Sequence, residues 1–286
     1  MSVIKSAPST TELLAEYLSG SPTPRLVDAF LADLRVLNRR LLADSIQEAQ
    51  GTTSSKTPLS YDEKRQLIHK VYTRKTKELA ALYPVIFAVE NALRSALSVH
   101  LTTYFDRRDW WIVVRDAVLA GKNHQDFAHI CGKQVSHVFK RQIFFTIDKI
   151  LDGPNKDKLL TPTNDDQLFL LLTIGQLQRI IVSDWLFINQ MFRPSSEIRF
   201  HLNKANFQTR LLALKEARDE VFHSNPIKNR RHVFKAAEDI LNALDFHLGD
   251  FDQDLKDAEH KRFGAVAPRE LRHLLPARPF PKLAPN

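Results

Sequence analysis

Apolar residues recur along this chain at three- and four-residue steps, and hardly anywhere in the alternating rhythm of a half-buried strand. Leu26, Phe30, Leu34, Leu37 and Leu41 form one such stripe and predict a helix over 24–49. A shorter helix is predicted over 10–18, across the breaker SGSPTP, and the polar run GTTSSKTP at 51–58 reads as a linker. Ser60 and Glu63 then have the spacing at which hydroxyl and carboxylate cap a first turn reciprocally, so a helix starts there and runs towards Leu82. Pro84 should kink or restart it, because proline lacks the N–H that a helix interior uses. Val85, Ala88, Val89, Ala92, Leu93, Ala96, Leu97 and Val99 carry the apolar pattern on to Leu101. Further helices are predicted over Trp110–Leu119, ended by Gly121, and over about 124–151, stopped by Asp152-Gly153-Pro154. Asn164 with Gln167 opens another to about Phe192, Pro194 starts one that reaches Phe222 with a break near 203–207, and Asn225-Pro226 opens a last one to about His247. No internal repeat is present, and the proline-rich stretch 264–286 is expected to be an extended or disordered tail.

Composition agrees with an all-α chain. Glycine is sparse, at 8 of 286 residues, while 43% of the chain is apolar, enough for a sizeable core. A single cysteine, Cys131, excludes an intramolecular disulfide framework. The start, MSVIKSAPSTTELL, lacks the apolar run of a secretory signal. The most apolar stretch, Leu168–Ile188, is interrupted by Gln176, Gln178, Arg179 and Asp184, which would be costly in a bilayer. A soluble, cytoplasmic protein with no membrane span is therefore expected. The net charge of +8 suits a polyanionic partner such as RNA.

Candidate chemistry concentrates in LLALKEARDEVFHSNPIKNRR, 211–231. Arg218 and His223 are five positions apart, about 140° round an ideal helix, and so do not share a face. Pro226 disfavours helix at Asn225, so the helix should end near His223, where a frayed last turn would let the guanidinium swing towards the imidazole. Asn225 would cap a new helix, and Lys228, Arg230 and Arg231 would add positive charge to its opening turns. RNA carries its own nucleophile, the 2′-OH, so a cleaving site needs an acid/base group and a cation on the phosphate, with no metal or other cofactor. A C-cap and a solvated charge remain the plain alternative for such a pair, and Lys228-Asn-Arg-Arg serves equally as a solvated face. A zinc site from His124, His129, Cys131 and His137 is disfavoured, because His129 and His137 are too far apart on one helix. Trp110, Trp111, Tyr83 and Phe87 are assigned to the core. No P-loop, G-x-S-x-G or G-x-G-x-x-G is present.

Four segments in order resemble one family: LYPVIFAVENALRSAL at 82–97, DWW at 109–111, LTIGQLQRIIVSDWLF at 172–187, and RDEVFHSNPI at 218–227. Together they resemble the Abi-like (abortive infection) proteins of the HEPN superfamily. Residues 1–50, outside the match, read from their periodicity as an N-terminal helical extension that would cover the cleft, extend a dimer or bind a partner, and 262–286 read as a basic, proline-rich tail. The resemblance implies a HEPN-type helical bundle over 59–250. It implies a homodimer in which Arg218 and His223 of both protomers line a shared cleft, with Glu90 and Arg94 facing it as supporting residues or as a structural ion pair. It implies a metal-independent endoribonuclease of a phage-defence or toxin–antitoxin system. There His223 would be general acid/base, Arg218 would hold the scissile phosphate, and Asp219 would position them. RNA and an antitoxin or defence-system protein are the implied partners. The alternative is a non-catalytic HEPN module that binds RNA or a protein through the same cleft. Asp219 stands where the family prefers asparagine, and Ser224 and Asn225 replace a histidine and a glutamate.

Overall fold

The computed structural model describes residues 9–18, 24–35, 37–52, 59–192, 202–223, 225, 227 and 229–246. Among them the chain is all-α, without a strand; the one β-bridge joins Ile130 and Lys133 across a tight turn. The helices are α1 (Thr10–Leu18), α2 (Pro24–Leu34), α3 (Arg39–Thr52), α4 (Tyr61–Phe105), α5 (Trp110–Leu119), α6 (His137–Leu151), α7 (Lys156–Leu160), α8 (Gln167–Leu171), α9 (Ile174–Ser183), α10 (Trp185–Ile188), α11 (Lys204–Phe222) and α12 (Arg230–Ala243). Short 3-10 turns cover His124–Asp126 and Asn189–Met191. No described helix is long and apolar enough to cross a membrane.

Helix boundaries follow capping chemistry. Ser60 and Glu63 cap α4 reciprocally, as their spacing predicts. The helix then runs through Pro84 without restarting, although the missing proline N–H leaves the carbonyl of Ala80 without its rung. The stretch 24–49 is not one helix. Asn38 Oδ1 accepts from the N–H groups of Arg40 and Leu41 and starts α3 afresh. Similarly, 124–151 is helical only from His137, which Ser136 caps. Before it, Cys131 at φ 49° and Gly132 at φ 76° turn the chain in a conformation that a helix excludes. The predicted helix to Phe192 is a succession of short pieces: α9 begins at a Thr173/Gln176 capping box, and α8 begins after Asp166 rather than at Asn164. The last helix starts at Arg230, capped by the Asn229 side chain, not at Asn225-Pro226. Pro194, Lys228 and the tail from 264 lie outside the described residues.

The described residues fall into two compact units. The first takes α1 to α3, α4 up to Ala80, and the segment Phe222–Pro226; Leu14, Leu18, Leu42, Ile46 and Ile68 are central to its core. The second takes α4 from Ala81, and α5 to α12 up to Val221 and from Ile227. Its core is lined by Leu82, Val89, Leu93 and Leu97 of α4, Phe139 and Ile147 of α6, Leu177 and Ile181 of α9, and Leu211 and Leu214 of α11. Tyr83 and Phe87 are not core residues: they are 47% and 53% exposed. Leu82, Ile86 and Val89 already occupy the inward stripe, and a residue one step further on lies about 100° round the helix.

Trp110 and Trp111 are both fully buried. Trp110 stacks on Phe105 at 4.7 Å between ring centres, but its indole N–H finds no partner among the described residues. Trp111 donates to the carbonyl of Asp165 at 2.8 Å. Replacing either ring with phenylalanine removes similar apolar area, so the difference isolates the hydrogen bond. Trp111→Phe is expected to cost about 1 kcal/mol more than Trp110→Phe in urea unfolding.

His100 of α4 packs on the Phe187 ring at 4.8 Å. Burial pushes its imidazole below the ordinary value of 6.5, against a smaller opposing effect from a hydrogen bond to the Phe187 main chain. The folded state therefore resists a proton that the unfolded chain accepts. His100 contributes full stability above about pH 6.5 and progressively less as the pH falls through and below that value. Urea midpoints at pH 7.5 and 5.5 should fall further for the wild type than for His100→Leu.

Candidate functional site

Glu90 lies on the inward side of α4 and is only 6% exposed. A carboxylate there loses most of its hydration and is stable only beside positive charge. Two guanidinium groups supply it. Arg94, one turn further along the same helix, donates from Nη2 to Glu90 Oε1 at 2.5 Å. Arg218, on α11, places Nε 3.4 Å from Glu90 Oε2. Arg94 also donates to the carbonyl of Leu172 at 2.7 Å and to Asn91 Oδ1 at 3.3 Å. The Leu172 carbonyl is available because α8 has just ended and α9 begins only after Thr173. The segments around 90 and 218 thus meet at one carboxylate of the second unit, and the segment around 172 joins them through Arg94.

The two arginines differ in what they leave open. The Arg94 side chain is 18% exposed and its Nε is buried without a partner among the described residues, so it is directed to the interior. The Arg218 side chain is 32% exposed and forms a long ion pair, 3.9 Å, with the exposed Asp219. Arg218 is thus a cation held against a buried carboxylate with about a third of its side chain exposed, a suitable arrangement for a phosphate oxygen.

His223 follows the last residue of α11 and is exposed. It belongs to the first unit, where its carbonyl accepts from Asn38 Nδ2 at 3.4 Å. Asn225, 9% exposed, accepts at Oδ1 from Arg40 Nη1 at 3.3 Å and caps no helix. The expected capping role passes to Asn229, so Arg230 and Arg231 stand in the first turn of α12, Arg231 exposed and Arg230 partly so. The structure therefore gathers Glu90, Arg94, Arg218 and Asp219 in one place, and sets His223 and Asn225 with Asn38 and Arg40.

Asn38 and Arg40 carry no functional assignment from the sequence. The Asn-Arg-Arg-Leu string is readable as a helix start. Nothing local announces a partner 185 positions away.

Elsewhere, the rings of His124 and His137 meet edge to face at 4.7 Å. No group of three or more His, Cys, Asp or Glu among the described residues could hold a metal ion. Asp109 is tied to Arg107 at 2.7 and 2.8 Å, which holds its carboxyl below the usual carboxylate range. The Asp109-Trp-Trp segment is thereby committed to packing and a surface ion pair. The chain matches no protein-family model, no curated protein and no solved structure.

The contrast in burial fixes an order of effects. Glu90→Ala strands the largely buried Arg94 and should cost about 3 kcal/mol or more. Arg218→Ala removes the more exposed of the two cations and leaves Arg94 beside the carboxylate, so it should cost less than Glu90→Ala. Urea titration of the two variants checks the order.

Proposed function

We propose that this chain is a metal-independent endoribonuclease of the HEPN kind, acting in the cytoplasm in phage defence or in a toxin–antitoxin pair. The observation that carries the reading is the Arg218 guanidinium, 3.4 Å from the buried carboxylate of Glu90 and with 32% of its side chain exposed. The exposed imidazole of His223, the residue that follows α11, supports it. So does the resemblance of 218–227 to the Abi-like signature.

In this mechanism His223 takes the proton of a ribose 2′-OH, and the oxygen attacks the adjacent phosphorus. The 5′-oxygen leaves and takes up a proton from a second acid group. In a two-fold homodimer the imidazole of the second protomer is available for that step. Arg218 bonds the non-bridging phosphate oxygens as charge builds on them. Asp219, beside Arg218, holds the guanidinium in orientation. The products are a 2′,3′-cyclic phosphate and a 5′-hydroxyl. Because the nucleophile belongs to the substrate, no metal-bound water is required. Arg230 and Arg231, with Lys228 before them, would contact the neighbouring backbone of the strand.

An RNA cleavage assay in EDTA tests this reading. Wild type is expected to cleave and to leave cyclic phosphate ends, whereas His223→Ala and Arg218→Ala should each lose at least about 100-fold in rate. Equal cleavage by all three would refute the assignment. RNA binding without cleavage, weakened by Arg218→Ala, would favour the non-catalytic binding module.

A further inference from the structure

The N-terminal helices carry a role that their own sequence does not disclose. Two hydrogen bonds tie them to the segment after α11. Asn38 Nδ2 donates to the carbonyl of His223 at 3.4 Å, and Arg40 Nη1 donates to Asn225 Oδ1 at 3.3 Å. All four residues belong to the first unit. The bonds grip the segment at two residues only two positions apart, one through its main chain and one through a buried side chain.

The donor side of this grip is itself fixed. The N–H of Asn38 donates to the Tyr72 hydroxyl at 3.0 Å. Its Oδ1 accepts from the N–H groups of Arg40 and Leu41 at 3.0 and 3.1 Å. One amide side chain thus caps α3 with its oxygen and holds the His223 main chain with its nitrogen. Arg40 follows in the first turn of α3, so its direction is set by the same cap.

A residue that transfers protons must stand at a defined place, and a histidine on an unsupported connection between helices does not. We infer that Asn38 and Arg40 are positioning residues for His223. This rests on the assignment of His223 as acid/base. Neither residue need touch RNA: Asn38 acts through the main chain of His223, and Arg40 through Asn225.

The test uses the full chain with Asn38→Asp, which keeps a capping oxygen and replaces the amide donor with a charged acceptor, and with Arg40→Leu. Arg40→Lys, which can still donate to Asn225, serves as rescue, and Arg39→Leu removes a neighbouring charge. Two readouts are taken: kcat and KM for RNA cleavage in EDTA, and amide hydrogen exchange over 222–226. Asn38→Asp and Arg40→Leu should each lower kcat about tenfold or more with KM little changed. Both should speed exchange in that segment while α12 stays protected. Arg40→Lys should recover most of the rate, and Arg39→Leu should behave as wild type. Unchanged exchange in both variants, or equal loss of kcat in Arg39→Leu and Arg40→Leu, would overturn the inference. If wild type cleaves no RNA, the ribonuclease reading has failed, and exchange alone decides whether Asn38 and Arg40 hold the segment.

Discussion

A carboxylate cut off from water has to recover in place what it lost in hydration, and Glu90 recovers it from two guanidiniums on different helices. Much of the second unit is arranged around that requirement. The register of α4 must put Glu90 inward and Arg94 one turn on, and α11 must bring Arg218 to the carboxylate's second oxygen. The break between α8 and α9 must leave the Leu172 carbonyl free for the hydrogen bonds that Arg94 still offers. None of these conditions is met by hydrophobic packing alone, which is indifferent to a rotation that exchanges one leucine for another. Ionic constraints of this kind select one arrangement among several that would bury similar area.

Sequence periodicity exposed most of the helices, because a stripe of leucines at three- and four-residue steps has few other uses. It did worse where a helix had to stop. Asn38, Ser136 and Thr173 each end a seemingly continuous pattern with one oxygen aimed at a backbone N–H. Such a residue also occurs inside helices, so its effect is decided by surroundings that no short window contains. Tyr83 and Phe87 were misread for a related reason: size and apolarity suggest the interior, but Leu82, Ile86 and Val89 had already filled it.

The candidate site was legible in parts. Glu90, Arg94 and Arg218 were singled out by resemblance, and their meeting at one carboxylate supplies a physical reason for grouping them. Spacing accounts for the Glu90–Arg94 pair, one turn apart, but could not have added Arg218, which lies more than a hundred positions away. Asn225 was expected to begin a helix and instead holds Arg40, because Asn229 stands closer to the first helical turn and takes the cap. The contribution of Asn38 and Arg40 was invisible for a simpler reason. Contacts across such sequence distances are set by the fold and leave no local trace.

The pairing of cations also bears on how the basic character of this chain should be judged. Lys140, at 9% exposed, holds its ammonium against the carbonyls of Phe127 and Ala128. Arg115 turns its guanidinium to the carbonyls of Leu159 and Leu160, and Arg210 is paired with the buried Asp239. Charges committed in this way displace few counterions when a nucleic acid approaches. The salt dependence of polyanion association should therefore report fewer cations than a count of Lys and Arg would suggest. Formal charge still sets the long-range field, but the cations placed to meet a phosphate directly are a smaller set than the inventory of Lys and Arg.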